Sequence, residues 1–467
     1  MKLFREAIQP RNQLLLIPTT LDDALPATAP VRIFHEIVQS LNHGKLLASY
    51  LGGGAPAYHP VLLMEVLLFA YNEGVRSSRQ IARMLTYDVR FMYLAEGQRP
   101  DFRTISDFRR RHEAALVSLF EAVVRLAIEI GLVVLEHVAV DGTKLEAAAS
   151  REAVYDADKL KRKLAQAAAR LKAILAEAEE VDAAEANAEE ATVPAELATA
   201  RQRLARLQAI EQARAAAGVS GSFVSTDPES RIIKTRSGKR PAYNIEAAVD
   251  STAQIVLAIT VTNSATDNHA SAAVLDQVEI NTGARPAQVS MDGGFWSPET
   301  LADAQERGID VYLPPQAGDH AAEGFIYQEE SDSYTCRQGE TLRYARTRVD
   351  KGRTYRIYRC SCRVCPRAVE CHGASKRYKD LWRRQWSPQE LAHHEKMTTD
   401  TAKAIYRTRA QTVEPVFGQW KTISRFTRLL LHGLAGAKIE ALLVGISHNL
   451  RKCAQVWSGK AIYQAAI

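Results

Sequence analysis

From residue 30 to residue 130 apolar side chains recur three and four positions apart almost without a break, the period of helices that bury one face. The stretch HPVLLMEVLLFAYNEG (59–74) opens with Pro60 at a first-turn position and closes on Gly74, so a helix is expected between them. In SSRQIARMLTYDVRFMYLA, Ser77 or Ser78 can cap a helix carrying Ile81, Met84 and Leu85, and a second short helix follows Tyr87. Beyond residue 132 the period changes. LVVLEHVAVDGTKLEAAAS alternates at Val138 and Val140 and then reaches Asp141, which predicts a strand delivering a carboxylate at its end.

Residues 153–217 are rich in Ala, Glu, Lys, Arg and Leu, with an acidic connector before Pro194. Propensity and spacing predict two long helices folded back as an antiparallel coiled-coil hairpin. Strand signals then return. AYNIEAAVD and QIVLAITVTN are separated by Ser251, Thr252 and Ala253, a hairpin signal; a helix is expected near HASAAVLDQVEI. AQVSMDGGFW is a short strand whose end presents Asp292 beside Gly293 and Gly294. SPETLADAQERG has a cap at Ser297 and Pro298 at its start, and IDVYLPP reads as another strand. The order is that of a mixed α/β protein.

At 467 residues the chain can hold two to four domains. Its net charge of +6 is unevenly placed: residues 341–467 carry +17 and residues 1–340 carry −11. Such a basic half fits a polyanionic partner, with a solvated basic surface as the alternative. The N-terminal apolar run is too short for a signal peptide, and the longest apolar region, 115–140, is interrupted by four charges. No membrane span is expected. Five of six cysteines fall between Cys336 and Cys371, a local cluster that points to a reducing cytoplasm.

Three groups of residues carry candidate chemistry. Cys336, Cys362, Cys365 and Cys371 suit a tetrahedral zinc ion, with Cys360 surplus, His372 an open alternative ligand, and a metal-free knuckle the competing reading. Arg76, Arg79, Arg83 and Arg90 on two short helices could enter a DNA groove as a helix-turn-helix, or lie on an ordinary bundle. RPDFRTISDFRRRH adds Arg109, Arg110 and Arg111. Lastly, Glu414 is the one acid between Asp400 and Glu440, against seven Lys or Arg. An acid there weakens polyanion binding unless it has another task. Pro415 after it places Glu414 at or near a helix start, with Lys421 returning to nearly the same face. Asp141, Asp292 and Glu414 together could hold two divalent cations of the Mg2+ or Mn2+ type about 3.5–4 Å apart, though singly the aspartates also read as turn residues. Asp250, Asp267 and His269 are expected as loop caps or supporting groups.

The succession VAVDGT, VSMDGGFWS, YRTRAQTVEPVFGQWK and LLVGISHNLRK resembles the DDE transposases of bacterial insertion sequences, and HPVLLMEVLLFAYNEGVRSSRQIARML resembles their N-terminal helical domain. Their tyrosine, arginine, glutamate, lysine signature falls here on Tyr406, Arg409, Glu414 and Lys421. Four residues separate Arg409 from Glu414 where three are common, which leaves Arg407 as an alternative to Arg409. The resemblance implies an RNase-H-like mixed sheet flanked by helices. It divides into a helical, DNA-binding part (1–132), core segments (133–152, 218–320, 396–467), a coiled-coil insertion (153–217) and a Cys-rich insertion (321–395). It also implies that Asp141 bridges two metal ions, that Asp292 holds one and Glu414 the other, and that Tyr406, Arg407 or Arg409, Lys421, Arg425, Arg428, Arg79 and Arg83 meet DNA. The expected partners are double-stranded DNA, as element terminal repeats and target, and a second copy of the chain in a homodimer, in the cytoplasm at the nucleoid. The expected activity is cleavage freeing a 3′-hydroxyl that then attacks target DNA. A nuclease without strand transfer, or an inactive end-binding regulator, are the alternatives.

Overall fold

The computed structural model describes residues 20–50, 57–184, 195–219, 221–266, 270–315, 324–350, 353–360, 365–373 and 378–464. Helices α1 (Pro30–Ser40), α2 (Gly44–Leu47), α3 (Pro60–Asn72), α4 (Ser78–Tyr87), α5 (Val89–Leu94), α6 (Phe102–Arg111) and α7 (Glu113–Glu129) come first. Every side chain of α3 from Pro60 to Tyr71 is buried, because the helix is apolar on all sides and lies inside the cluster.

A strand, β1 (His137–Glu146), follows, then β2 (Val154–Tyr155), α8 (Ala157–Ala184), α9 (Ala195–Ala216) and β3 (Phe223–Val224). α8 and α9 run antiparallel: Leu160 shares a small core with Leu207 and Ile210, and farther along Arg170 pairs with Glu196 at 3.4 Å. The β2–β3 ladder closes the base of this helical pair.

The main sheet is completed by β4 (Arg231–Thr235), β5 (Gly238–Asp250) and β6 (Val256–Thr262). After α10 (Ser271–Thr282) come β7 (Gln288–Met291), α11 (Pro298–Glu306) and β8 (Asp310–Tyr312). Its order is β4-β5-β1-β7-β8, with β6 also on β5. β1, β5 and β6 are antiparallel neighbours, whereas β7 and β8 run parallel to β1. β1 does not end at Asp141, as its sequence suggests. The ladder to β5 continues from Asp141↔Ala247 to Glu146↔Ala242, so the polar half of β1 stays a strand because β5 is long enough to pair with it.

A second, five-stranded antiparallel sheet has the order β13-β12-β11-β10-β9. Its strands are β9 (Phe325–Gln328), β10 (Ser333–Cys336), β11 (Thr341–Asp350), β12 (Arg353–Cys360) and β13 (Lys379–Arg384), with the short α12 (Ala368–His372) before the last. Its core is small: Tyr334, Leu342, Tyr358, Cys360 and Leu381.

Three helices finish the chain: α13 (Pro388–Thr398), α14 (Asp400–Thr422) and α15 (Gly433–Gln464). A helix starting near Glu414 is not found; α14 passes through Pro415 unbroken. A proline there removes the N–H that would bond the Gln411 carbonyl four residues back. The side-chain amide of Gln254, from the β5–β6 turn, donates to that carbonyl at 3.1 Å instead. α15 is buried throughout residues 441–450 and packs on α3, α7 and α1 on one side and β6 on another. One hydrophobic core therefore runs from the N-terminal helices through α15 into the sheet. Among the described residues no helix is long and apolar enough to cross a membrane.

Candidate active site

The parallel register of β1 and β7 pairs Val140 with Met291. The next residue on each strand is an aspartate, so Asp141 and Asp292 emerge side by side where β7 stops and the chain turns into a short 3-10 helix at Gly293–Phe295. Asp292 is exposed, and its carboxylate makes no cap bond to that turn. Asp141 is mostly buried. Its Oδ1 accepts from the Gly142 N–H at 2.7 Å and its Oδ2 accepts from Arg409 Nη1 at 2.9 Å. Burial holds the Asp141 carboxyl above its usual range; Arg409 opposes that shift and the like charge of Asp292 adds to it.

Helix α14 lies across β1, β5, β7 and β8 and supplies the rest of the site. Arg409, not Arg407, takes the position on Asp141: its side chain is 13% exposed, whereas Arg407 faces solvent. Tyr406 lies beside the Arg409 guanidinium, 5.6 Å from ring centre to carbon, and burial raises its phenol. Farther along α14, Glu414, Phe417, Gly418 and Lys421 form an i, i+3, i+4, i+7 stripe lining a cleft of about 920 Å3 with Asp141 on its opposite wall. Gly418 leaves that wall low, for a Cβ there would meet nothing within 4 Å. Lys421 is half-buried in the cleft and its ammonium is pushed down, first by burial and then by Arg236.

The cleft also shows what the sequence reading overlooked. Lys144 on β1 and Lys234 and Arg236 at the β4–β5 turn line it beside Lys421. The signal was present in VDGTKLE and IIKTRSGK, but basic residues at a hairpin are commonplace until the hairpin is seen folding over the acids.

Asp141 stands beside Asp292 and shares the cleft with Glu414, but the three acids do not close on one point. Glu414 is exposed on the cleft wall, and among the described residues no three His, Cys, Asp or Glu side chains stand close enough to hold a metal ion together. The aspartate pair fits a hard divalent cation in donor type and in charge, since two adjacent carboxylates, one of them desolvated, favour a positive neighbour. Arg409 fills that need here.

The predicted DNA-contacting arginines divide into two kinds. Arg79, Arg83, Arg425 and Arg428 are exposed. Arg76 and Arg109, expected among the candidate groove-facing arginines, are instead buried structural groups. Arg76 donates to the carbonyls of Arg425 (2.8 Å) and Arg428 (2.6 Å) and pairs with buried Glu440; Arg109 donates to Tyr71 and to the Arg76 carbonyl, each at 3.0 Å. Arg90 is held by Glu73 and Asp88. α5 buries Phe91 and Leu94, so the α4–α5 pair offers Arg79 and Arg83 alone. Gly74, at φ +69°, is required at this junction because a Cβ would lie 2.4 Å from the Ile423 carbonyl.

A second basic face lies on the five-stranded sheet. Residues 341–384 hold fourteen Lys or Arg against three acids. Beyond Arg343, β11 pairs only with β12, which pairs in turn with β13, so among the described residues the outer half of β11 is an edge of the sheet, with Arg346 and Arg348 exposed. Arg348 lies over the exposed Trp382 ring at 5.1 Å.

Of the predicted zinc ligands, Cys336, Cys365 and Cys371 line one hollow; Cys362 lies outside the described residues, as do Asp267 and His269 and the side chain of His372. Cys360 is buried in the small core. Asp250 is a loop cap, accepting from the N–H groups of Leu135 (3.1 Å) and Thr252 (2.8 Å).

A family profile described as a transposase DDE domain matches residues 335–454, and one described as a transposase domain matches residues 19–111. No curated protein gives a significant match. Among solved structures, a piggyBac transposase synaptic complex with hairpin DNA, determined by cryo-EM, is similar at 8% identity over 90% of this chain and 75% of that one, with a TM-score of 0.29.

Proposed function

Because this chain is a DDE-type transposase of insertion-sequence type, we propose that it binds the ends of its element, hydrolyses phosphodiester bonds there to free 3′-hydroxyls, and transfers those ends to target DNA. The observation that carries this reading is that Asp141 and Asp292 each follow the Val140↔Met291 pair, at equivalent positions of two parallel strands, under a helix that sets Arg409 on Asp141 and Glu414 on the same cleft as Asp141. The strand order β6-β5-β1-β7-β8, three antiparallel then two parallel, is that expected of an RNase-H-like core.

DDE transposases generally use divalent metal ions such as Mg2+. Asp141, Asp292 and Glu414 are the side chains that would hold two of them, and such ions supply activation of an attacking oxygen and neutralise charge on a leaving one. The chain's own groups do the positioning. Arg409 and Lys421, with Tyr406 beside Arg409, hold the backbone phosphates next to the scissile bond, and Lys144, Lys234 and Arg236 fix the DNA strand along the cleft. Arg79, Arg83, Arg425, Arg428 and the β11 edge bind DNA outside it. Two element ends are brought together by a homodimer.

Asp141→Asn, Asp292→Asn and Glu414→Gln should each cut strand cleavage by at least about a hundredfold, of the order seen when a group stabilising the transition state is lost, while leaving the affinity for end DNA within a few fold. Cleavage at the normal rate by any one of them removes that acid from the site. Incubating cleaved ends with a target plasmid separates the readings: joined products mark a transposase, and cleavage without joining marks a nuclease lacking strand transfer.

A further inference from the structure

The five-stranded sheet has few means of holding itself together. Five buried side chains, Tyr334, Leu342, Tyr358, Cys360 and Leu381, form its core, and a module of this size with so little apolar burial usually needs a covalent or metal staple. At the end of the sheet that carries Cys336, three sulfurs from three separate places line one hollow of about 280 Å3: Cys336 at the end of β10, Cys365 in the connection after β12, and Cys371 in α12. Cys336 opens a tight turn in which its N–H donates to the Glu340 carbonyl and its carbonyl accepts from Gly339, both at 2.9 Å. Gly339 adopts φ +79°. Inside that turn the Gln338 N–H donates to the Cys336 sulfur at 3.4 Å. On the other wall, the Cys371 carbonyl accepts from Lys379 at 3.1 Å, which ties α12 to the start of β13.

We propose that this hollow is a structural zinc site with Cys336, Cys365 and Cys371 as thiolate ligands. Soft sulfur donors select zinc over the hard cations suited to Asp141 and Asp292. The two sites therefore take different metals. The three sulfurs stand outside common ligation range among the described residues, so binding draws the Cys336 turn and α12 together. The ion then locks β10 to the β12–β13 connection at the margin of that small core, against which Cys336 packs. The proposal is independent of the DNA chemistry and holds whether or not the strand-transfer reading does.

The test uses the full chain, purified in reductant without added metal. About one zinc per chain is expected by elemental analysis, and replacement by Co2+ should give the thiolate-to-cobalt charge-transfer absorption of a sulfur-rich tetrahedral site. Cys336→Ser, Cys365→Ser and Cys371→Ser should each lose that absorption, whereas Cys453→Ala, in the core of α15, should keep it. To guard against variants that fail to fold, the wild-type chain is stripped with a chelator, which should lower its thermal midpoint, and re-addition of Zn2+ should restore it. Reduced protein that contains no zinc and takes up no Co2+, or a disulfide among these three cysteines in the purified chain, overturns the proposal. Full metal content in any one of the three variants removes that cysteine from the site.

Discussion

Gly418 shows how one residue separates stability from function. It sits inside α14, where glycine is a poor helix former, yet it occupies the cleft wall between Glu414 and Lys421 with nothing near its missing Cβ. Replacing it with alanine should stabilise the protein by about 0.5–1 kcal/mol. Gly418→Leu also fits the fold, but its side chain would project into the cleft proposed to receive the DNA backbone. The expected result is an unchanged or raised denaturation midpoint together with a loss of strand cleavage. Normal cleavage by the leucine variant would show that substrate does not pass over this part of α14. At the same scale, Arg409 and Arg407 are two residues apart in sequence, but only Arg409 reaches Asp141. A helix turns by about 200° between such positions, placing them on nearly opposite faces.

At the scale of elements, the β11 edge and α14 make contrasting use of charge. α14 sets its cations in a cleft already holding acids, whereas the β11 edge exposes Arg346 and Arg348 with no acid in ion-pair range among the described residues. Cations spaced along a strand edge can follow a phosphate backbone. Arg346→Gln with Arg348→Gln should leave the melting temperature unaltered and should lower the slope of log affinity against log salt by about two, one for each phosphate no longer neutralised. An identical slope in the double variant would take the β11 edge off the DNA. α14 owes its continuity to a neighbouring element: the Gln254 amide, from the β5–β6 turn, fills the carbonyl that Pro415 leaves without a helical donor. Gln254 also accepts from Lys452 and, through its backbone carbonyl, from His448, so one turn fastens both C-terminal helices to the sheet.

For the molecule as a whole, α15 is the spine. It joins the N-terminal helices to the sheet in one core, and buried His448 lies where it meets the β5–β6 turn. Burial pushes the His448 imidazole down to about 4, helped by Arg451 and Lys452 and opposed by its bond to the Gln254 carbonyl. A histidine with a depressed folded value is neutral in the native state but protonates once unfolded. The unfolded chain thus binds the extra proton between about pH 6.5 and pH 4, and stability falls as pH drops through that window, by up to about 1.4 kcal/mol per pH unit from this residue. His448→Gln should flatten the pH dependence of the urea midpoint between pH 6.5 and 4 relative to wild type. Equal slopes for the two proteins would mean that His448 is solvated before the molecule unfolds.

Much of this was written locally. The shift from a three-and-four period to alternation near residue 137, the Ser297–Pro298 start of α11, and the separation of β5 from β6 at Ser251–Ala253 are set by side-chain period and turn chemistry, which act over a few residues. The lone acid at Glu414 and the crowding of cysteines between 336 and 371 were equally plain in the chain. Tertiary structure decided what no local period carries. β1 runs on past Asp141 because β5, a hundred residues later, is there to pair with it, and α14 survives Pro415 because a glutamine from another element reaches the orphaned carbonyl. Arg76 is a buried clamp on Glu440 while Arg79, three positions on, faces solvent. In each case the deciding partner lies far along the chain. A window of sequence can assign a residue to a helix or a strand, but a charge or a hydrogen-bonding group takes its role from what the fold brings against it.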